Sequence, residues 1–197
     1  VDMSPMEVMS VYSNFATGGF KYPIKSIRSV VDSNGRLLER YGLTVQNTID
    51  PSAAYILNYG LQQVMSAGTG RSAYSALPTD LKLAGKSGTT NDTRDSWFAG
   101  YSGNYLSVVW LGLDDNKVTG LTGSSGALPV WTNVMKQLRQ KPVNLRQTEN
   151  VQWQWIDRAT GHLSAQGCEG AMYIPLLRNN VQGCEGAMYI PLLRNNV

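Results

Sequence analysis

The chain has 197 residues, of which 42% are hydrophobic and 16% are charged, and its net charge is +3. This length is enough for one ordinary domain with a core, and 5 Trp and 10 Tyr argue against general disorder. The mild charge, without any basic run, excludes a nucleic-acid partner, and no stretch reaches the roughly 18 apolar residues of a membrane span. Because the sequence begins with Val and has no signal peptide, we expect a terminus cut from inside a larger protein, with any targeting segment upstream.

The first element predicted along the chain is a helix. Ser4 is suited to cap it, Pro5 to occupy its first position and Glu7 to close a capping box. Apolar residues then recur at helical spacing as far as Gly18-Gly19, where the helix is expected to end.

A β-hairpin and a second helix follow. Asn34-Gly35 lies between apolar runs at 27–31 and 36–39, and this pattern predicts a hairpin. Asp50-Pro51 is a helix start, and Gly68 marks the end of the helix. The face expected to be buried carries Ala54, Leu57, Leu61, Val64 and Met65.

Three apolar segments in the middle of the chain predict an antiparallel meander. A strand over 81–85 leads into Lys86-Ser87-Gly88, and further strands are predicted over 96–101 and 105–113. Their short connections, with Gly103-Asn104 as one turn, favour antiparallel pairing. A third helix is predicted over residues 128–140, and its expected buried face carries Val130, Val134 and Leu138, widened by Trp131 and Met135.

The C-terminal part has a weaker pattern and an exact repeat. Residues 151–155 alternate between apolar residues and Gln, which predicts one short strand. Residues 166–181 recur unchanged as 182–197, so Cys168 and Cys184 belong to two copies of one segment. Natural repeats diverge, and we therefore interpret the second copy as an artefact; the alternative is a functional tandem motif. The predicted division is a domain over 1–140 and a C-terminal extension over 141–181.

The segment Lys86-Ser87-Gly88-Thr89-Thr90 carries candidate chemistry. On a strand, Lys86 and Gly88 point to one face, and Ser87 and Thr89 point to the other. Gly88 allows a substrate backbone to lie against the strand, and the hydroxyls offer donors to a carboxylate. Backbone N–H groups near Thr89 suit an oxyanion. Taken alone, such a short polar pattern recurs by chance on surface strands, so the surrounding sequence decides.

The surrounding sequence resembles the third motif box, and the strand after it, of class A penicillin-binding proteins. The resemblance rests on residues 83–92 and 95–101, is closest to the 1b type and covers 1–140. It implies a penicillin-binding transpeptidase or serine β-lactamase-like α/β fold, with an antiparallel sheet flanked by helices. This chain would hold the C-terminal part of that domain. Further similarity lies at residues 3–8, 16–19, 62–64, 68–71 and 123–127.

The resemblance implies a peptidoglycan D,D-transpeptidase, which cross-links stem peptides through a serine acyl-enzyme and is the target of β-lactams. Lys86 would be catalytic through its charge and a proton relay, and Thr89 through its backbone N–H in an oxyanion hole. The implied substrate-binding residues are Ser87, Gly88, Thr89 and Thr90. Ser87 replaces the usual Thr of the box but keeps the hydroxyl. No cofactor is implied, and the lone His162 lacks the neighbouring ligands of a metal site.

The nucleophile of this family is not found in the sequence. No Ser is followed three residues later by Lys, and no Ser-x-Asn precedes Lys86. Ser102-Gly103-Asn104 lies downstream and is interpreted as a turn. We therefore expect the chain alone to be inactive, with the nucleophile in the rest of the same protein. The alternatives are a serine β-lactamase and a non-catalytic peptide- or glycan-binding module.

The implied partners are the peptidoglycan stem peptide with its lipid-linked precursor, β-lactams as covalent inhibitors, and regulators of cell-wall synthesis. The resemblance also implies an upstream glycosyltransferase domain. It places the protein at the periplasmic face of the bacterial inner membrane, with the anchor outside this chain.

Overall fold

The computed structural model describes residues 3–178. The α-helices span Pro5–Ala16 (α1), Pro51–Ser66 (α2) and Leu128–Lys136 (α3). Strands in the first half span Phe20–Lys21 (β1), Ser29–Val31 (β2), Leu37–Arg40 (β3) and Gln46–Asn47 (β4). Strands in the second half span Ala84–Thr89 (β5), Ser96–Tyr101 (β6), Leu106–Leu111 (β7), Val151–Asp157 (β8) and Ala171–Leu177 (β9). Among the described residues, no helix has the length and hydropathy needed to cross a bilayer.

The predicted start and end of α1 are confirmed. The backbone N–H of Ser4 donates to the Glu7 carboxylate at 2.7 Å, and the N–H of Glu7 donates to Ser4 Oγ at 3.3 Å. These two bonds are the reciprocal capping box that the sequence predicts. The helix ends before Gly19, whose φ of +105° brings the chain against Ile49, and a Cβ there would lie 2.3 Å from the Ile49 carbonyl oxygen.

The predicted hairpin is also confirmed, as the antiparallel pair β2–β3. Asp32 closes its turn, because its carboxylate accepts hydrogen bonds from the N–H groups of Asn34 at 2.9 Å and Arg36 at 2.8 Å. The antiparallel pair β1–β4 was not predicted, since two strands of two residues each leave no periodic pattern.

Helix α2 begins where predicted, and Ala54, Leu61 and Met65 of its expected face are buried, but the rest of the face differs from the expectation. Asp50 caps the helix by accepting from the N–H groups of Ser52 and Ala53. Leu57 is 38% exposed, whereas Asn58 is only 3% exposed. The Asn58 amide donates to the carbonyls of nearby residues and accepts from Tyr101, so this buried polar group is satisfied.

The central sheet is the predicted antiparallel meander, in the order β5-β6-β7. Ala84 pairs with Tyr101, and Ser96 pairs with Leu111. The first strand begins at Ala84 rather than at Leu81. The reason is local, because residues 79–81 form a 3-10 turn and Lys82 adopts a left-handed conformation with φ 48°, which lies outside the regular strand region.

Helix α3 is shorter than predicted, and only the Trp131 and Met135 part of its expected face is buried. Val130 and Val134 are 41% and 42% exposed, whereas Trp131 and Met135 are fully buried. The Trp131 ring lies 5.0 Å from the Phe98 ring, measured between centroids, and its indole N–H lies 3.2 Å from the carbonyl oxygens of residues 100 and 107. Among these residues of the expected face, the larger side chains therefore occupy the core, and the two Val side chains stay exposed.

The strand predicted at residues 151–155 is confirmed as β8, which pairs with β9 in a separate two-stranded sheet. Tyr59 joins this sheet to α2. The centroid of its ring lies 5.3 Å from that of Trp153, and its hydroxyl donates to the Tyr173 carbonyl at 3.3 Å. The division at residue 140 stays a prediction. The duplicate segment 182–197 and the last residues of 166–181 lie outside the described residues.

Candidate active site

Strand β5 presents a free edge to solvent. Within residues 3–178 it pairs with β6 on one side only. Where the β5–β6 pairing ends, the Thr90 N–H points to β6 and donates to the Asp95 carbonyl at 3.2 Å. The backbone N–H and C=O groups of successive residues in a strand point alternately to its two edges. This alternation directs the N–H and C=O groups of Ser87 and Thr89 to the free edge. The Lys86 ammonium donates to the Ser87 carbonyl at 2.8 Å, in keeping with that direction.

The side chains of β5 alternate between two faces, as predicted. Lys86 and Gly88 lie on the side of α1, where they border a cleft of about 560 Å³ that also reaches Ser87 and Thr90 along the strand. The cleft lies between the first half of α1 and the sheet, and its other lining residues include Met3, Pro5, Val8, Tyr12, Trp97 and Trp110. A Cβ on Gly88 would lie 3.2 Å from Trp97 Cβ, so a side chain at this position would crowd the floor of the cleft.

On the opposite face, the hydroxyls of Ser87 and Thr89 meet two loops. The Ser87 hydroxyl is 2.7 Å from the hydroxyl of Thr69, in the loop after α2. The Thr89 hydroxyl oxygen accepts a hydrogen bond from the backbone N–H of Gly123 at 2.9 Å. This bond uses only a lone pair of the hydroxyl, and no acceptor for its proton is found within residues 3–178, so the Thr89 hydroxyl can donate to a bound group.

Gly123 lies closer to β5 than any other residue type could. A Cβ on Gly123 would be 2.7 Å from the Trp97 carbonyl oxygen and 2.8 Å from both the Gly88 carbonyl oxygen and Ser87 Cβ. The loop that holds it forms a π-helical turn over Gly123–Ala127, capped by Thr122. Residues 123–127 are one of the segments in which the sequence resembles the family.

Asp95 holds the end of β5 in place. Its carboxylate accepts from the Thr90 hydroxyl at 3.0 Å and from the Trp110 indole N–H at 2.9 Å. The Thr90 hydroxyl oxygen in turn accepts from the Asp95 N–H at 2.8 Å. The Thr90 hydroxyl is therefore engaged in the loop, unlike that of Thr89. Nothing in the sequence predicts the hydrogen bonds of Asp95, Thr69 and Gly123 to β5 and its neighbours. The Gly on each side of Thr69 does indicate close backbone packing.

Two further sequence interpretations concern residues away from the cleft. Ser102 lies in a turn, as predicted, with its N–H donating to the Tyr105 carbonyl at 2.9 Å. His162 and the Cys168 thiol are exposed. Within residues 3–178, no three or more His, Cys, Asp or Glu side chains are grouped in a way that would hold a metal ion.

Comparison with known proteins identifies the family. The model of the penicillin-binding protein transpeptidase domain matches residues 1–137. Penicillin-binding protein 1B of Vibrio cholerae is 35% identical over 177 residues, which are 90% of this chain and 23% of the relative. Penicillin-binding protein 1B of Escherichia coli K12 is 33% identical over 174 residues, which are 88% and 20% of the two chains. The chain thus spans about a fifth of the length of these curated relatives.

Solved structures agree in fold. Penicillin-binding protein 1A from Haemophilus influenzae superposes with a TM-score of 0.78 at 22% identity, over 87% of this chain and 32% of that one. The D,D-transpeptidase domain of a peptidoglycan glycosyltransferase from Eggerthella lenta gives a TM-score of 0.51 at 25% identity, over 68% and 32%. With a family model that matches residues 1–137 and relatives of the 1B type across most of its length, this chain belongs to the penicillin-binding protein transpeptidase family.

Proposed function

We propose that the protein containing this chain is a peptidoglycan D,D-transpeptidase and that β5 is one wall of its active site. The observation that carries the proposal is the arrangement of β5. Its Lys86 borders a cleft, its free edge exposes the Thr89 N–H, and its hydroxyls at residues 87 and 89 line the other face. These are the groups needed to bind a peptide carboxyl terminus and to support acyl transfer.

In the proposed complex, the stem peptide adds to the free edge of β5 as a further strand. The hydroxyls of Ser87 and Thr89 donate to its terminal carboxylate, and the Thr89 N–H donates to the oxygen that becomes negative in the tetrahedral intermediate. Gly88 keeps the strand free of a side chain where the peptide lies. Thr90 closes this subsite through its bonds with Asp95.

The proposed reaction has two acyl-transfer steps. A Ser hydroxyl outside this chain attacks the carbonyl carbon between the two terminal D-Ala residues, the peptide bond breaks, and the leaving D-Ala amine takes a proton. The resulting ester is then attacked by an amine of a neighbouring stem, which restores the Ser hydroxyl and leaves a cross-link. The Lys86 ammonium contributes positive potential and holds the proton relay. β-Lactams acylate the same Ser.

We propose that the segment that carries this Ser packs in the cleft between α1 and Lys86. It lies beside Lys86, and its walls include exposed apolar groups such as Met3. The chain alone is then inactive. We propose in addition that the complete protein carries a glycosyltransferase domain and acts at the periplasmic face of the inner membrane on a lipid-linked precursor, since its relatives are penicillin-binding proteins 1B.

Labelling of the full-length protein with fluorescent penicillin tests the proposal. We expect stable labelling of the parent, and labelling by a Lys86→Ala variant that is slower by about 10² or more, because a positioned charge and a proton relay are lost. Lys117→Ala removes an exposed Lys that pairs with Asp115, and it should label like the parent. Equal rates for Lys86→Ala and the parent would contradict a catalytic Lys86. Rapid nitrocefin turnover by the full-length protein would indicate a β-lactamase. If the full-length protein were not labelled by penicillin at all, a non-catalytic module would be indicated.

A further inference from the structure

Thr69 is held rigidly beside β5. The Gly68 N–H donates to the Gln63 carbonyl at 3.1 Å, and the Gly70 N–H donates to the Val64 carbonyl at 2.9 Å, so the loop is bonded to α2 on both sides of Thr69. A Cβ on Gly70 would lie 2.6 Å from the sulfur of the fully buried Met65. Thr itself is stiff at χ1 because it is β-branched. The hydroxyl of Thr69 is therefore a fixed point.

Ser87, in contrast, has an unbranched side chain whose hydroxyl can turn between staggered positions. Its contact with the Thr69 hydroxyl at 2.7 Å selects one of them. Two bonded hydroxyls share one proton between them and leave the other free. When Thr69 donates, the Ser87 oxygen is an acceptor and the Ser87 proton is free. The Thr89 hydroxyl is in the same state, because its oxygen accepts from the Gly123 N–H.

We infer that Thr69 is a positioning residue, which fixes the Ser87 hydroxyl as a donor to the carboxylate of the acyl donor and so sets the preference for substrates that carry one. Thr69 reaches the substrate only through Ser87. An anion in front of β5 favours this order of donors, because a chain of hydrogen bonds that ends on a negative charge is strengthened along its length. The inference rests on the proposed function and adds to it the residue that orients one carboxylate donor.

The test compares two ligands on one protein sample. The rate constant of acylation of the full-length protein is measured with benzylpenicillin and with its methyl ester, which lacks the negative charge. For Thr69→Val, which keeps the shape but removes the hydroxyl, we expect the rate with benzylpenicillin to fall about tenfold and the rate with the ester to change little. Thr69→Ser keeps the hydroxyl but not the β-branch, so its ratio of the benzylpenicillin rate to the ester rate should lie nearer to the parent ratio than to that of Thr69→Val. The ratio of the two rates does not depend on the fraction of folded protein.

The outcomes separate the inference from the proposed function. If the parent is acylated by neither compound, the proposed function fails. If the parent is acylated but the ratio of rates in Thr69→Val equals the parent ratio, Thr69 has no positioning role, whether both rates fall together or neither changes. A lowered ratio of the benzylpenicillin rate to the ester rate in Thr69→Val, with a ratio nearer to the parent value in Thr69→Ser, supports the inference.

Discussion

Single residues bring the loops against β5, and Gly123 is the most constrained of them. Its backbone lies so close to the strand that a Cβ would meet the Trp97 and Gly88 carbonyl oxygens within 2.8 Å. In the full-length protein, Gly123→Ala should push the loop outward, break its bond to Thr89 and lower the rate of penicillin acylation by about tenfold. Gly60→Ala makes the same change in α2, where nothing lies within 4 Å, and should leave that rate unchanged. A Gly123→Ala variant acylated at the parent rate would show that this contact is not needed.

The residue scale also marks how far local sequence reaches. The sequence predicts Ser87 and Thr89 as hydroxyl donors, because hydroxyls on a strand edge suit a carboxylate. It does not predict their partners Thr69 and Gly123, which are 18 and 34 positions away along the chain. Such contacts depend on how α2 and the loop before α3 pack on the sheet, and the spacing of apolar residues in the sequence does not predict this packing. The engagement of Thr90 by Asp95 is a tertiary detail of the same kind.

At the scale of elements, Tyr101 joins β6 to α2. Its buried hydroxyl donates to Asn58 Oδ1 at 2.6 Å. Burial raises the pKa of this phenol well above its usual value of 10.0, nearby Tyr12 raises it further, and the bond to Asn58 opposes them. A Tyr in the unfolded chain loses its proton near its usual pKa, whereas Tyr101 in the folded chain keeps its proton to a higher pH. The stability it contributes is therefore complete below about pH 10 and is lost as the pH rises above that value.

This linkage predicts the behaviour of Tyr101→Phe. The melting temperature of the transpeptidase domain, measured in the full-length protein from about pH 8 to about pH 11, should fall less steeply in the variant than in the parent. At neutral pH the variant should be destabilised by about 1–3 kcal/mol, since Asn58 Oδ1 loses a buried donor. Tyr105→Phe, at an exposed residue, serves as the control and should follow the parent. An unchanged alkaline slope in Tyr101→Phe would contradict the linkage.

Elements were predictable where the signal is local. The capping box of α1 and the turn of the β2–β3 hairpin are short-range patterns, and both appear as predicted. The buried face of α3 was predictable only in part, because its two Val residues and its Trp131 and Met135 all recur at helical spacing. Only the packing of Trp131 on Phe98 decides between them. The start of β5 was misplaced because the left-handed Lys82 has no signature in its own residue type.

For the whole molecule, the sequence predicted the fold class because the motif segment and the strands after it resemble a known family. The order β5-β6-β7 and the superposition on penicillin-binding protein 1A agree with that prediction. The sequence did not predict the C-terminal sheet, because only β8 shows an alternating pattern and its partner β9 lies beyond a long loop. The chain covers about a fifth of its curated relatives, and the proposed function places the other walls of the site in segments outside this chain.

The central claim is that β5 forms one wall of a penicillin-binding site whose nucleophile lies outside this chain. The most direct test is to treat the full-length protein with benzylpenicillin, digest it and locate the penicilloyl adduct by mass spectrometry. The account predicts a single acylated Ser, in a peptide outside the 197-residue sequence, and no labelling of the 197-residue chain alone. An adduct on a Ser within the chain, at residue 87 or elsewhere, would contradict it.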